Sequence, residues 1–145
     1  MGDLAGKILI DPTNPPANLV NGYPLPSNPS LSAAEQIQSW VPGTKVVKAL
    51  NTLNHLVMAN PKMAGGPVTV AICGDDADAK ARVVKLIAQT GLEPLDVAPL
   101  IGARLIEGLA RIFSGYRYAH PDKTFEIHLR VRPNDLGELS PLPSK

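Results

Sequence analysis

The sequence predicts an α/β protein with a mostly parallel sheet, flanking helices and an extra C-terminal edge strand. Short apolar segments have the length and composition of buried strands, at residues 8–11, 45–52, 67–76 and 93–100. Helical patterns lie between them, which predicts right-handed crossovers and a largely parallel sheet. Residues 124–132 alternate apolar and polar side chains, as a half-buried strand at an edge does.

The first half of the chain combines strand signals with a long proline-rich loop at 12–29. Ser32 and Glu35 have the spacing of a capping box, which predicts the start of a helix that ends before Pro42. Its Ile37 and Trp40 are expected to face inward. The strand at 45–52 follows, and then a short helix is plausible over residues 53–60.

The second half has the clearest pattern. Residues 67–76 are nearly continuous in apolar side chains, as in a strand covered on both faces. Asp75 or Asp76 is expected to cap a helix that runs to about residue 90 and ends at Gly91. A longer helix is predicted over 101–116. We expect Arg104, Glu107 and Arg111 on its outer side and an apolar side formed by Leu105, Leu109, Ile112, Phe113 and Tyr116.

Composition excludes several classes of function. The 145 residues fit one domain, and 14 basic against 13 acidic residues give no electrostatic reason to bind nucleic acid or an acidic membrane. The single Cys73 excludes an internal disulfide and suits a reducing compartment. No signal peptide or membrane-spanning apolar run is present, so we expect a soluble cytoplasmic protein.

Polar turns follow three of the predicted strands. They are Thr13-Asn14-Pro15, Asn51-Thr52 and Gly74-Asp75-Asp76. Ligands of open α/β sheets bind beyond the carboxyl ends of the strands, so each turn is a candidate binding site. Each is equally explained as ordinary turn chemistry, and helix capping already accounts for the two acids at 75–76.

Other reactive residues give weak signals. His55, His120 and His128 have no metal-ligand spacing, and Cys73 ends a buried strand as a small core residue would. No two glycines stand in G-x-G spacing, so the sequence contains neither a dinucleotide fingerprint nor a P-loop.

Four segments, taken together and in order, resemble one family, the deazaflavin-dependent NADP oxidoreductases and the reductase domains of the membrane metalloreductases. The segments are LAGKILIDPTNP, SAAEQIQSWVPGTKVVKALNTLN, VTVAICGDDADAKARVVKLIAQTGLEPLDVAPL and ARLIEGLARI. They cover most of residues 4–112. The resemblance implies a partial Rossmann-like fold, with residues 1–118 as the C-terminal part of such an oxidoreductase domain. Residues 119–145 would then add the edge strand and a proline-rich tail.

The resemblance also implies a function. Members of the family pass hydride between NADP(H) and a deazaflavin or flavin, which they do by positioning two rings. The matching cofactor-binding positions here are Thr13, Asn14, Pro15, Leu50, Asn51 and Thr52. Asn14 and Asn51 would bond to ring edges, and Pro15 and Leu50 would pack against a ring. No catalytic acid or base and no metal is implied.

The family's G-x-G-x-x-G half has no counterpart in the sequence, which leaves two hypotheses open. The chain is either an NADP-linked oxidoreductase completed by another chain, or a non-catalytic half-domain that serves as a binding or oligomerisation module. Without the first half, the apolar strand at 7–11 would expose an edge that needs a partner, so we expect a homo-oligomer. Phe125–Val131 is a second segment that could pair across subunits.

Overall fold

The computed structural model describes residues 3–21, 23–122 and 129. The six strands are β1 (Ile8–Asp11), β2 (Ala17–Val20), β3 (Tyr23–Pro26), β4 (Lys45–Lys48), β5 (Thr69–Gly74) and β6 (Glu93–Ala98). The four α-helices are α1 (Ala33–Trp40), α2 (His55–Ala59), α3 (Ala77–Ala88) and α4 (Ala103–Ala119). Two short 3-10 turns lie at Pro61–Ala64 and Leu100–Gly102.

The main sheet has the strand order β1-β4-β5-β6. β1 pairs with β4, and β5 with β6, in parallel, so the mixed α/β fold with a mostly parallel sheet is confirmed. The middle pair, β4 with β5, is antiparallel. A parallel pair needs a crossover that carries the chain back along the strand. The connection between β4 and β5 contains only the five-residue α2 and a 3-10 turn.

The predicted C-terminal edge strand lies almost entirely outside the described residues. Leu129 is its one described position, and it forms an antiparallel bridge with Thr69 of β5. The Thr69 backbone N–H donates to the Leu129 carbonyl at 2.8 Å.

Part of the proline-rich loop is a hairpin instead of irregular chain. β2 and β3 pair antiparallel in a separate two-stranded sheet, with Asn21 at the turn in the left-handed region at φ 52°. Proline is tolerated in such a hairpin because each strand has an edge that needs no N–H donor. β3 lies against α4, which places the hairpin beside that helix.

Helix α1 begins at the predicted capping box. The Glu35 amide donates to the Ser32 Oγ at 3.1 Å, and the Ser32 amide donates to Glu35 Oε2 at 2.9 Å. Ile37 is half-buried as expected, but the prediction for Trp40 is wrong, because that side chain is 73% exposed. Trp40 is the last residue of the helix, so the 3.6-residue pattern no longer fixes the direction of its side chain.

A bidentate ion pair joins α1 to α4. Arg104 donates from Nε to Glu35 Oε2 at 2.8 Å and from Nη2 to Oε1 at 2.7 Å. These hydrogen bonds, opposed by burial and assisted by Ser32, lower the pKa of Glu35 to about 2 from its ordinary value of 4.5.

This pair predicts an acid-dependent loss of stability. A carboxylate with a depressed folded-state pKa stabilises the fold above its unfolded pKa, and that contribution is lost as the pH falls from about 4.5 towards 2. We expect a loss of about 1 kcal/mol from this group, since Arg104 is partly exposed and solvent screens the pair. Urea denaturation at pH 6 and pH 3 measures it. Glu35→Gln should flatten that part of the pH profile, and an unchanged slope in this variant would contradict the assignment.

The core lies on both faces of the sheet. One cluster joins β4 and β5 to α3, whose Ala79, Val83 and Ile87 are buried. The second cluster joins the other face to α1 and α4 through Ala34, Cys73 and Ala103, among others. Because helices cover both faces, every residue of the strand at 69–74 is buried.

The predicted orientation of α4 is wrong at three positions, although Arg104 is exposed as predicted and Leu109, Phe113 and Tyr116 are half-buried. Leu105 is 81% exposed and Ile112 is 60% exposed, whereas Glu107, predicted to lie outside, is only 3% exposed. The buried side of α4 carries small residues and Ile106. Small residues let a helix approach a sheet closely. The close packing that results is more favourable here than burial of the larger apolar side chains would be. None of the helices among the described residues is long and apolar enough to cross a membrane.

Candidate functional site

The carboxyl ends of all four strands of the main sheet meet at one place. Asp11 of β1 lies opposite Lys48 of β4. β4 and β5 overlap only at their last residues, where Lys48 pairs with Cys73, and Cys73 in turn lies opposite Ala98 of β6. Because the antiparallel strands β4 and β5 overlap only at their carboxyl-terminal residues, the carboxyl ends of the four strands still lie side by side.

Two of the three predicted turns contact each other at this place. Asn14 Nδ2 donates to the Asn51 carbonyl at 3.2 Å, and Asn51 Nδ2 donates to Asn14 Oδ1 at 3.0 Å. Asn51 Nδ2 also lies 3.4 Å from the carbonyl of Ile106 on α4. Both neighbours of Nδ2 are acceptors, so the orientation of the Asn51 amide is determined by its surroundings.

Three buried polar atoms at these turns have no hydrogen-bond partner within the described part of the chain, namely Asp11 Oδ2, Asn51 Oδ1 and Arg111 Nε. Asp11 Oδ2 lies 2.6 Å from Lys48 Nζ in an ion pair, which leaves Asn51 Oδ1, an acceptor, and Arg111 Nε, a donor. Asn51 is 8% exposed, while Asn14 is exposed. Arg111 also donates through Nη2 to the carbonyl of Pro15. A buried polar atom without a partner costs free energy, so such atoms beside a strand-end turn indicate a place where a ligand can bond.

The remaining predicted positions differ in their surroundings. Thr13 is exposed and donates through its amide and its hydroxyl to Asp11 Oδ1, at 2.8 and 2.7 Å. Leu50 is half-buried against the core cluster of β4, β5 and α3, with φ at 67°. That left-handed backbone is strained for a residue with a γ-branched side chain, and such strain is concentrated at functional turns. Thr52 is half-buried.

Pro15 is buried at a narrow cleft between the loop before α1 and α4. The cleft has a volume of about 50 Å³. That volume is far below the roughly 300 Å³ or more of a small-molecule pocket. This cleft is therefore too small to enclose a cofactor ring.

The third turn is explained by structure alone. Asp76 caps α3 by accepting from the Ala79 amide at 2.8 Å, and it pairs with Lys45 at 2.8 Å. Asp75 accepts from the Leu100 amide at 2.8 Å. A larger open cleft of about 500 Å³ lies beside these acids, but both of them are already bonded within the fold.

A buried charged cluster lies beneath the two contacting turns. The patterns in the sequence did not predict it. Lys48 Nζ contacts Asp11 Oδ2 at 2.6 Å, Glu107 Oε1 at 2.7 Å and the Thr13 carbonyl at 2.6 Å. Glu107 in turn accepts from the Ala33 amide at the start of α1, at 3.0 Å. The available signal was a lysine inside an otherwise apolar strand, which is buried only when it is paired.

The other candidate groups form no cluster of three metal-ligating side chains among residues 3–21, 23–122 and 129. His55 is exposed at the start of α2, and His128 lies outside the described residues. Burial raises the pKa of the Cys73 thiol to about 12, so it is not a thiolate nucleophile at neutral pH.

A mostly parallel sheet with helices on both faces, and polar turns meeting at its strand ends, defines a Rossmann-like α/β domain. No protein-family model matches the chain. It is 36% identical over 107 residues to metalloreductase STEAP3 of Rattus norvegicus, covering 73% of this chain and 20% of that protein. It is 29% identical over 132 residues to the F420-dependent NADP reductase of Methanocaldococcus jannaschii, covering 88% and 58% of the two.

Solved structures agree with these relatives. A candidate F420-dependent NADP reductase from Arthrobacter sp. FB24 superposes with a TM-score of 0.73 at 35% identity, covering 87% of this chain and 59% of that one. The hypothetical protein SMa0349 from Sinorhizobium meliloti gives 0.60 at 30% identity, with 71% and 50% covered. The chain is thus a homologue of the F420-dependent NADP reductases and of the STEAP metalloreductases. It spans about three fifths of the length of the former and a fifth of the latter.

Proposed function

We propose that this chain forms the ring-binding side of an NADP-linked oxidoreductase site, for hydride transfer between NADP(H) and a deazaflavin or flavin. One observation carries the proposal. The turns 13–15 and 50–52 contact each other at the strand ends, and the buried Asn51 Oδ1 between them has no partner among the described residues. The relatives named as F420-dependent NADP reductases support the choice of cofactors.

The donor set fits the edge of a nicotinamide or deazaflavin ring. Asn51 Oδ1 can accept a hydrogen bond from a ring or carboxamide N–H, and Arg111 Nε can donate to a ring carbonyl. Asn14 is exposed beside them, and Leu50, which is half-buried, supplies apolar surface, whereas Pro15 is buried. Thr13 and Thr52 border the same surface. Arg111 is an addition to the predicted set, since the sequence placed it on a solvated helix face.

The chain's own residues bind and orient in this proposal. A deazaflavin, when bound, supplies a carbon that exchanges hydride with the nicotinamide directly. The two turns fix the plane and the edge of one ring, which is the positioning that such a reaction requires. No proton has to move through the protein, in agreement with the absence of a titratable side chain among the six predicted positions.

Binding measurements test the proposal. The full chain should bind NADPH or a deazaflavin at sub-millimolar concentration in isothermal titration calorimetry. Asn51→Ala should weaken that binding roughly tenfold, because a hydrogen bond from a buried group is worth about 1 kcal/mol or more. Asn18→Ala, an exposed asparagine in β2, is the matched control and should bind normally. Wild-type chain that binds neither ligand would contradict the proposal.

A second candidate is a non-catalytic module that associates with another copy of the chain. The observation that favours it is the exposed apolar side of α4, with Leu105 at 81% and Ile112 at 60% exposure. Such a surface is more often covered in an assembly than left in water. Light scattering should then give a dimer or larger species, and Leu105→Glu should reduce it to a monomer. A monodisperse wild-type monomer would exclude this candidate.

A further inference from the structure

We propose that Lys48 is a positioning residue that holds the turn Thr13-Asn14-Pro15 in its ligand-binding geometry. The proposal deepens the proposed function, because it concerns the shape of the same binding surface. It depends on the contacts of one ammonium group at the point where the strands end.

Three oxygen atoms surround the Lys48 ammonium group. Nζ lies 2.6 Å from Asp11 Oδ2 and 2.7 Å from Glu107 Oε1 in two ion pairs, and it donates to the Thr13 carbonyl oxygen at 2.6 Å. The Lys48 side chain is 0% exposed, and those of Asp11 and Glu107 are 0% and 4% exposed. A buried lysine is costly unless its charge is paired, so the two carboxylates hold the ammonium group where it reaches the Thr13 carbonyl.

The turn itself has no regular backbone hydrogen bonding, so side chains determine its shape. Asp11 accepts from the Thr13 amide, and Lys48 donates to the carbonyl of the same residue. Asn14 is held by Asn51, and the Pro15 carbonyl by Arg111. Lys48 is the only fully buried side chain among the described ones that bonds to this turn's backbone from a neighbouring strand.

The cluster also links the turn to the two helices of the second core cluster. Glu107 of α4 contacts Lys48 through Oε1, and it accepts from the Ala33 amide through Oε2 at 3.0 Å. A carboxylate at the amino end of α1 is favourable for the helix dipole. Through Asp11 and Glu107, Lys48 therefore connects β1, β4, α1 and α4. It does so with the same ammonium group that bonds to the turn.

The two roles of Lys48, charge pairing and turn positioning, are separable by neutral replacements. A buried ion cluster can be replaced by neutral side chains with little loss of stability, whereas removal of one partner leaves unpaired charges. Asp11→Asn/Lys48→Met/Glu107→Gln removes all three charges and also the donor to Thr13. Asp11→Asn/Lys48→Gln/Glu107→Gln is the control, because Gln has no charge but keeps an N–H donor, on a side chain one bond shorter than that of lysine.

The first measurement needs no ligand. In ¹⁵N relaxation of the full chain, we expect Thr13 and Asn14 to be rigid in the wild type, with order parameters of about 0.85, and to fall below about 0.6 in the Met triple variant. The Gln variant should recover part of the difference. A folded Met variant with wild-type order parameters at these two residues overturns the proposal.

The second measurement is ligand affinity, and it separates this proposal from the proposed function. The Met variant should bind NADPH or a deazaflavin about tenfold more weakly than wild type, with partial recovery in the Gln variant. If the wild type binds neither ligand, the proposed function fails while the relaxation data still decide the role of Lys48. Equal affinity of the wild type and a folded Met variant overturns that role.

A third measurement uses the wild type alone, in case the triple variants do not fold. The Lys48 ammonium protons should exchange slowly enough to be observed by NMR at neutral pH, since they are buried and bonded. The exposed Lys85 serves as the internal reference. Lys48 protons that exchange as fast as those of Lys85 overturn the proposal.

Discussion

Lys48→Met alone is expected to lower the free energy of unfolding by about 3–5 kcal/mol. The substitution leaves Asp11 and Glu107 as two buried carboxylates without their shared cation, and both are at most 4% exposed. A loss of that size is a large part of the 5–15 kcal/mol that stabilises an ordinary domain. Urea denaturation followed by circular dichroism measures it.

The control for this variant lies on the same strand. Lys45 also forms an ion pair, with Asp76, but its side chain is 41% exposed. Lys45→Met should therefore cost no more than about 1 kcal/mol. Similar losses in the two variants would mean that the Lys48 cluster is not the buried ion cluster that the distances indicate.

Gly102→Ala is expected to destabilise the fold by about 1–3 kcal/mol, through overpacking where α4 meets the sheet. A Cβ at this position would lie 2.4 Å from the Cβ of Ala98 and 3.7 Å from that of Cys73. Neither neighbour is the end of a flexible side chain, so the backbone must move. Thermal unfolding should show a lower midpoint.

Gly108→Ala, inside α4, is the control for this variant. A Cβ there would have no atom within 4 Å, and alanine is the better helix former. This variant should gain about 0.5–1 kcal/mol. A pair of variants with the same sign of effect would contradict the close packing at Gly102.

The local sequence was sufficient where the signal is local. The capping box at Ser32 and Glu35, the cap at Asp76 and the buried face of α3 follow from spacing along one helix, and the structure has each of them. Hydrophobic runs likewise placed β4 and β5, which are largely buried, and β1 and β6, although most of β6 is exposed. The predicted family and fold class are confirmed by the relatives and by the sheet.

What required the tertiary structure is the pairing of distant groups. Periodicity predicted that Leu105 is buried and Glu107 is exposed, and the structure shows the opposite for both. Burial depends on which face of the helix packs against the sheet, and on the partners that a buried Glu107 has there. Lys48 contacts Asp11 of the neighbouring strand β1 and Glu107 of helix α4. The spacing of residues along the chain does not predict either contact. The sequence by itself determined the elements and the polar turns at their ends. Only the tertiary structure brought Asn14 to Asn51, because contacts between residues 37 apart depend on strand register and helix packing.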